Sequence, residues 1–173
     1  MLVVRAEEAG DVDAIASVVE AAFASRVEAR LVELIRSSPG YRPSLTLVAE
    51  EAGEIVGHVM IRGAVLRTDD GDRAIAMLSP LSVAPAHQSK GVGAALVNRV
   101  CELAGAEGEP FVVLDGPPAY YGRLGFEPSR SYGISMPLPD STRPGSDQIR
   151  WLGPVDPTAR GDVIYPPAFA ELE

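Results

Sequence analysis

The chain has 173 residues, of which 46% are hydrophobic and 23% charged, and this is enough apolar sequence to bury one continuous core without disulfides or a structural metal. Its single cysteine, Cys101, excludes an internal disulfide framework, and the absence of any apolar run of roughly 18 residues excludes a transmembrane helix. The net charge of −9 argues against nucleic-acid binding. The N-terminal sequence lacks the pattern of a signal peptide, so we expect a cytoplasmic protein.

The N-terminal half of the chain carries alternating helix and strand patterns. A polar residue at the start of a helical apolar stripe predicts an N-cap, and a glycine turn between two apolar runs predicts a tight antiparallel hairpin. The elements expected in order are a strand over 2–7, a helix beginning after Asp11, a second helix ending near 37–40, and strands over 44–52 and 54–66 joined at Ala52-Gly53.

The C-terminal half continues the same alternation. Pro80 interrupts an apolar strand, and because proline cannot donate to a ladder it predicts a bulge or local splay there. The elements expected are a strand over 74–83, a loop over 84–90, a helix over 91–107, a strand over 110–115, a short helix over 117–124 ended by Gly125, and strands over 126–136 and 148–152. No repeat or linker divides the chain, so we predict one α/β domain over 1–173 with a mixed sheet.

The most informative segment for chemistry is the turn that leads into the long helix, Gln88-Ser89-Lys90-Gly91-Val92-Gly93-Ala94. The first amides of a helix have no partner within it and lie at the positive end of the helix dipole, while glycines remove the Cβ atoms that would keep a ligand away. The turn therefore predicts a phosphate or pyrophosphate site. The alternative is an ordinary helix start loosened by glycine.

Two other glycine-rich phosphate motifs do not fit this turn. A dinucleotide-binding fingerprint needs a third glycine or alanine where the chain has Leu96, and the G-x-x-x-x-G-K-[ST] pattern of a P-loop occurs nowhere. An unrelated nucleotide-binding α/β module is therefore only a third hypothesis.

Two motifs in this order resemble those of the GNAT superfamily of N-acetyltransferases. The first, Val83-x-Pro85-x-x-Gln88-x-x-Gly91-Val92-Gly93, is similar to the family element [R/Q]-x-x-G-x-[G/A]. The second is Tyr120-Tyr121-Gly122-Arg123-Leu124-Gly125-Phe126, and one helix and one strand separate the two, as in the family. Pro118-Ala119-Tyr120-Tyr121 and the tail Tyr165-Pro166-Pro167-Ala168-Phe169 are similar to a bacterial subgroup, the YhbS-like acetyltransferases.

The resemblance covers nearly the whole chain and implies a fold and a cofactor site. The fold would be a mixed, mostly antiparallel sheet flanked by helices and splayed at an acetyl-CoA site. The splayed strand would pair its backbone with the pantetheine arm, the loop amides would wrap the pyrophosphate, and no metal would be needed. The cofactor-binding residues implied in this way are Leu81, Ser82, Val83, Gln88, Ser89, Lys90, Gly91, Val92, Gly93, Ala94 and Tyr120.

Tyr121 stands at the position of the family tyrosine that hydrogen-bonds the cofactor sulfur and acts as general acid. Tyr120 lies about 100° away around the helix, so the two tyrosines cannot serve one site equally. Tyr120 is interpreted as a packing residue that touches the cofactor. Arg123 could reach a cofactor phosphate, but a solvated side chain is the favoured interpretation.

The general base is left open by the sequence. Many relatives carry a glutamate on the strand before the loop, whereas residues 74–83 contain no acidic residue. Glu50, Glu51, His58 and a water chain are the alternatives. Asp115 stands where many relatives have asparagine, either as a helix N-cap, which we favour, or facing the substrate.

The prediction is an acetyl-CoA-dependent N-acetyltransferase that acts by direct attack in a ternary complex on a primary amine of a small molecule or peptide. The alternative is a catalytically degenerate GNAT domain that binds acetyl-CoA as a sensor or scaffold. We expect neither nucleic acid nor membrane as partner, and leave a homodimer open. In the tail, we expect Val163 to Tyr165 to pair with the sheet and Phe169 to pack onto the domain or a partner subunit.

Overall fold

The computed structural model describes residues 1–137 and 144–166 of the chain. None of the helices within these ranges is long and apolar enough to cross a membrane. The strands are β1 (Leu2–Ala6), β2 (Thr46–Glu51), β3 (Glu54–Thr68), β4 (Gly71–Val83), β5 (Phe111–Asp115), β6 (Glu127–Pro128), β7 (Ile134–Ser135), β8 (Asp147–Trp151) and β9 (Gly161–Ile164). The α-helices are α1 (Val12–Phe23), α2 (Val27–Arg36), α3 (Val92–Ala106) and α4 (Pro118–Gly122), and short 3₁₀ turns span Ala9–Asp11, Pro43–Leu45, Pro85–His87 and Ser129–Tyr132.

The described strands form a single mixed sheet in the order β1-β2-β3-β4-β5-β8-β6, with β9 pairing both β3 and β7. Most neighbours are antiparallel, and β4 runs parallel to β5. The β2–β3 hairpin turns at Ala52 and Gly53, whose φ angles of 52° and 80° fit the primed turn that suits a twisted hairpin. The predicted mostly antiparallel sheet is confirmed.

The sheet splays around Pro80. The β3–β4 register shifts there, because Leu78 lies opposite Ile61 and Leu81 lies opposite Val59. On its other edge, β4 pairs with β5 at Ala76 and Met77 in the described sheet. The C-terminal end of β4 thus leaves β5 and opens a cleft, as the interruption by proline predicts.

Helices cover both faces of the sheet. On one face, α3 packs its apolar stripe on the central strands, with Leu96, Val97 and Val100 fully buried. On the other face, α1 and α2 bury Ile15, Val19 and Ile35 against β2 and β3. Each helix buries the face on which the apolar residues of its sequence recur. Together the helices form walls of the cleft.

The expectation of one strand over residues 126–136 is wrong. The chain forms β6, a 3₁₀ turn over Ser129–Tyr132 and β7 instead. Pro128 cannot donate to a continuing ladder, Gly133 turns the chain at a φ of 75°, and the buried Ser129 hydroxyl donates to the Ile134 carbonyl. As a result, β6 pairs with β8, whereas β7 pairs with β9.

The C-terminal segment joins the sheet through β9. Val163 pairs with Leu66 and is 2% exposed, and Ile164 pairs with Val65. The predicted pairing is confirmed for these two residues, while Tyr165 follows the end of the strand. The prediction for Phe169 lies outside the described residues.

Candidate active site

Two adjoining cavities lie where β4 leaves β5. The loop cavity, of about 600 Å³, lies between the end of β4, the 88–94 loop and α4. The splay cavity, of about 390 Å³, lies between β4, β5 and the start of α2. Phe23, Leu81 and Tyr120 line both cavities. These three side chains therefore mark the place where the two cavities meet.

A third and larger cavity, of about 660 Å³, lies between the end of α2, β3 and β9. Arg62 and Tyr165 are among its lining residues. It shares no described lining residue with the loop cavity or the splay cavity. The chemistry predicted from the glycine loop therefore belongs to the two smaller cavities.

The 88–94 loop presents the N-terminus of α3 to the loop cavity. Gly91 is the N-cap at a φ of 87°, and its carbonyl accepts the first helical hydrogen bond, from the amide of Ala95. The amides of the first three helical residues consequently have no partner within the helix. A Cβ built at Gly91 would meet no heavy atom within 4 Å, so the approach to these amides is open.

The Gln88 side chain holds this loop to the end of β4. Its Nε2 donates to the Val83 carbonyl at 3.0 Å. Ser89 follows with a φ of 61°, which turns the chain toward the helix. The backbone amide of Gln88 donates to the Pro85 carbonyl at 3.4 Å, so both its side chain and its amide are used within the loop.

The structure brings most of the predicted cofactor-binding residues together. Ser82, Lys90 and Val92 do not line the loop cavity. Ser82 and Val92 are buried, at 2% and 4% exposure, and Lys90 is exposed. The predicted residues that do line it are Leu81, Val83, Gln88, Ser89, Gly91, Gly93, Ala94 and Tyr120.

The two adjacent tyrosines lie in different surroundings. Tyr121 is 8% exposed, packs edge-on against Phe126 with ring centroids 5.6 Å apart, and lines the splay cavity. Burial and the neighbouring Tyr120 raise the pKa of the Tyr121 hydroxyl well above its ordinary value. Tyr120 is 42% exposed, and its hydroxyl lies so close to Gly93 that a Cβ there would collide with it.

The three residues proposed from sequence as a general base are found outside the lining of both cavities. Glu50 pairs with Arg5 at 2.9 Å, and Glu51 lies 3.6 Å from His87 Nε2. His58 is 0% exposed. None of the three lines the loop cavity or the splay cavity.

His58 belongs to a buried ionic network between α2 and the sheet. Its Nε2 lies 3.4 Å from Glu7, which accepts two hydrogen bonds of 3.0 Å from Arg36 and one of 2.8 Å from Tyr41. Desolvation raises the pKa of Glu7, but the hydrogen bonds from His58, Arg36 and Tyr41 outweigh it and lower that pKa to about 2. Burial lowers the pKa of His58, so its place fits a core histidine rather than a general base in either cavity.

Asp115 lines the splay cavity and does not cap α4. The N-cap of α4 is Pro117, and no side chain donates or accepts a capping bond there. Desolvation raises the pKa of the Asp115 carboxyl, and the negative charge of Asp147, its partner across the β5–β8 ladder, raises it further. The expectation of a capping role is wrong, and the substrate-facing alternative fits the structure.

Several lining residues were not named individually by the sequence analysis, although they lie in the helices near residues 20–40 that it expects at the acceptor cleft. Ala22 and Phe23 close the loop cavity from the end of α1, and Glu28 and Leu31 reach the splay cavity from α2. Phe23 is 41% exposed although it ends an apolar stripe. In the sequence Phe23 belongs to the apolar stripe of α1, so nothing local marks it as a cavity residue. Among the residues described, no group of three or more His, Cys, Asp or Glu side chains could hold a metal ion.

Comparison with known proteins gives consistent matches to acetyltransferases. The sequence profile described as "Acetyltransferase (GNAT) domain" matches residues 3–129. A protein of Escherichia coli (strain K12) named "Uncharacterized N-acetyltransferase YjhQ" is 33% identical over 122 residues, which are 69% of this chain and 67% of that protein.

Solved structures with the same fold include proteins bound to CoA compounds. The GNAT family N-acetyltransferase YhbS from Escherichia coli in complex with CoA has a TM-score of 0.85 at 26% identity, over 98% of this chain and 92% of that one. A GNAT family acetyltransferase from Brucella melitensis in complex with acetyl-CoA has a TM-score of 0.77 at 30% identity, over 98% of both chains.

Proposed function

Because the chain belongs to the GNAT family of acetyltransferases, we propose that it transfers the acetyl group of acetyl-CoA to a primary amine of a small molecule or peptide. The amine attacks directly, in a ternary complex, and residues 1–173 act as one domain. The observation that carries this proposal is the junction of the two cavities. An open set of helix amides lies on one side of it and a buried tyrosine on the other.

The residues of the loop cavity fit acetyl-CoA. The open approach to the amides at Gly91 suits a pyrophosphate, which is an anion at a helix N-terminus. In the described part of the chain, the end of β4 has no strand partner on the side facing β5, so the backbone at Leu81 is available to an extended amide-bearing arm. When bound, acetyl-CoA supplies an acyl group activated as a thioester. Phe23, Leu81 and Tyr120, which line both cavities, would surround that thioester.

Tyr121 is the proposed proton donor. Acyl transfer to an amine forms an N–C bond and breaks the C–S bond, so the leaving thiolate needs a proton. A tyrosine hydroxyl is protonated at neutral pH, and the raised pKa of Tyr121 leaves it so. The proton that it gives to sulfur is replaced by the one that the nitrogen loses after attack.

Asp115 is the proposed proton acceptor for the incoming ammonium group. An amine attacks only as the free base, and a carboxylate lining the cavity can take its first proton directly or through water. The raised pKa of Asp115 makes it a better acceptor than an ordinary aspartate. The absence of an acidic residue from residues 74–83 is thereby compensated from the end of β5.

The test of this function is thiol release from acetyl-CoA in the presence of a panel of primary amines, with the acetylated product identified by mass spectrometry. Binding of acetyl-CoA is measured in parallel by calorimetry. Amine-dependent thiol release is the expected result. Tight binding without release for any amine would instead favour the sensor or scaffold alternative.

A further inference from the structure

The splay cavity is the space left for the acceptor, and its lining restricts which acceptors fit. Most of its walls are apolar or aromatic, including Leu31, Leu78, Pro80 and Tyr121. Its ionisable lining residues other than the tyrosines are Glu28 and Asp115, and no Lys, Arg or His is among the described residues that line it. A ligand here meets negative charge and apolar surface together.

Glu28 has a carboxylate oxygen with an unfilled hydrogen-bonding capacity. Its Oε2 is buried, and within residues 1–137 and 144–166 it has no hydrogen-bond partner. Glu28 lies in the first turn of α2, where the helix dipole favours a negative charge. A buried acceptor without a partner costs free energy, so a donor supplied by a ligand would bind favourably.

Two carboxylates of neighbouring elements, Glu7 and Asp11, have their partners within the protein. Glu7 accepts hydrogen bonds from Arg36 and Tyr41, and Asp11 accepts them from Arg5. Glu28 differs because no basic side chain of the described protein reaches its buried oxygen. The unused acceptor points to a cationic ligand rather than to the fold.

We infer that Glu28 binds the cationic nitrogen of the acceptor, and that the acceptor is a primary amine with an apolar or aromatic body and no carboxylate beside the amine. This inference rests on the proposed acetyl transfer. Glu28, on α2, binds the ammonium group, and Asp115, at the end of β5, takes its proton. An α-carboxylate on the acceptor would meet two like charges in a site of low polarity, which disfavours its binding.

The experiment compares three matched acceptors: 2-phenylethylamine, L-phenylalaninamide and L-phenylalanine. For the wild-type protein, we expect kcat/KM for the first two to exceed that for phenylalanine by about tenfold or more, since a carboxylate close to like charges in a site of low polarity costs at least that factor. Phenylalaninamide separates the effect of charge from that of bulk. Equal use of phenylalanine and phenylalaninamide would overturn the substrate class.

The variant that tests Glu28 is Glu28→Gln, with Glu33→Gln as its control. Glu33 lies on the same helix, is exposed, and pairs with Arg30 at the surface. We expect Glu28→Gln to raise KM for 2-phenylethylamine by about tenfold and to reduce the discrimination against phenylalanine, with KM for acetyl-CoA unchanged. Glu33→Gln should change none of these values. An unchanged KM for 2-phenylethylamine in Glu28→Gln would overturn the role of Glu28.

A binding measurement separates this inference from the function on which it rests. Calorimetry of 2-phenylethylamine with the CoA-loaded wild type and Glu28→Gln proteins reports the amine site without turnover. If the wild type binds the amine, Glu28→Gln weakens it about tenfold and no acetyl transfer occurs, then only the proposed activity is wrong. If the CoA-loaded wild type neither binds nor acetylates 2-phenylethylamine, the inference itself is wrong.

Discussion

At the scale of single residues, Tyr120 and Tyr121 are consecutive in the sequence but have different surroundings and different proposed roles. Tyr121 is nearly buried and held by Phe126, whereas Tyr120 is open to both cavities. A hydroxyl that lines the splay cavity can reach a leaving thiolate there, and an exposed ring suits contact with a ligand.

The first prediction concerns Tyr121→Phe. We expect turnover to fall by roughly one to three decades, because the leaving thiolate loses its proton donor, while the dissociation constant for CoA stays unchanged. Steady-state kinetics and calorimetry measure the two quantities. Tyr120→Phe is the matched control and should lose less activity. Full activity in Tyr121→Phe would place this residue among the packing aromatics.

The second prediction concerns His58 and pH. Burial lowers the pKa of His58 from its ordinary value near 6.5, so below that pH the unfolded chain binds a proton that the folded chain does not. The folded state therefore loses stability as the pH falls from about 7.5 to 5.5. Glu7, with a pKa of about 2, remains ionised throughout this range.

Melting temperatures at both ends of this range test the assignment. In His58→Leu, we expect the part of the pH dependence that comes from this group to disappear. His87→Gln is the control, because His87 is the other histidine of the chain and should leave that dependence in place. An identical pH dependence in His58→Leu and wild type would contradict a neutral, buried His58.

The sequence predicted some site residues and missed others for a physical reason. The loop glycines belong to a turn whose chemistry follows from the free amides of a helix start, and Tyr121 belongs to a contiguous motif whose role the resemblance to the GNAT family implies. Glu28 is indistinguishable from a solvated glutamate in the first turn of an amphipathic helix, a position that the helix dipole favours anyway. The packing of α2 against the splayed strands reveals that one of its carboxylate oxygens is buried.

At the scale of elements, the loop before α3 joins backbone conformation to ligand binding. Gly91 has a φ of 87°, a conformation that side-chain-bearing residues rarely adopt, and it leaves open space above the helix amides. A side chain at this position would affect the loop in two ways, by straining the backbone and by occupying the approach to the amides.

The third prediction separates these two effects with Gly91→Ala and Gly91→Glu. Both variants impose the backbone strain, whereas only glutamate adds a negative charge beside the phosphates. We expect Gly91→Glu to weaken CoA binding by roughly a further two decades beyond Gly91→Ala. Calorimetry with CoA gives the affinities, and circular dichroism verifies the fold. Equal affinities in the two variants would show that the pyrophosphate lies elsewhere.

The elements themselves were predicted well where one periodicity held and poorly where it was interrupted. The stripe of α3 and the β2–β3 hairpin appear in the structure because their apolar patterns match one packed face. Residues 126–136 also alternate, but Pro128 and Gly133 break the ladder, and each half pairs with a distant strand. Pairing with a distant strand depends on the tertiary fold, and the local sequence does not indicate it.

At the scale of the whole molecule, the C-terminal segment closes the sheet over β3. Val163 is 2% exposed and belongs to an apolar cluster with Leu66, Phe111 and Ile149. The neighbouring Ile164 is 37% exposed, because side chains alternate along a strand. The two residues form a matched pair for testing what β9 contributes.

The fourth prediction is that Val163→Ala lowers the free energy of unfolding by about 2 kcal/mol, or roughly 4–8 °C in melting temperature, through lost burial and a residual cavity. Ile164→Ala should cost less. Truncation after Arg160 removes all of β9 and should lower the melting temperature by more than Val163→Ala. Melting temperatures for all four proteins decide this, and an intact melting temperature after truncation would contradict a stabilising β9.

The narrow contact between β4 and β5 has a consequence for how the molecule fluctuates. In the described sheet, Ala76–Val112 and Met77–Val113 are the register pairs that join β5, β8 and β6 to the other strands. Local opening favours places with few backbone hydrogen bonds, so the amides of β5 and β8 should exchange with deuterium faster than those of β3. A ligand whose amides bridged the two edges would slow that exchange, and the protection would spread along β5 well beyond the atoms that it touches.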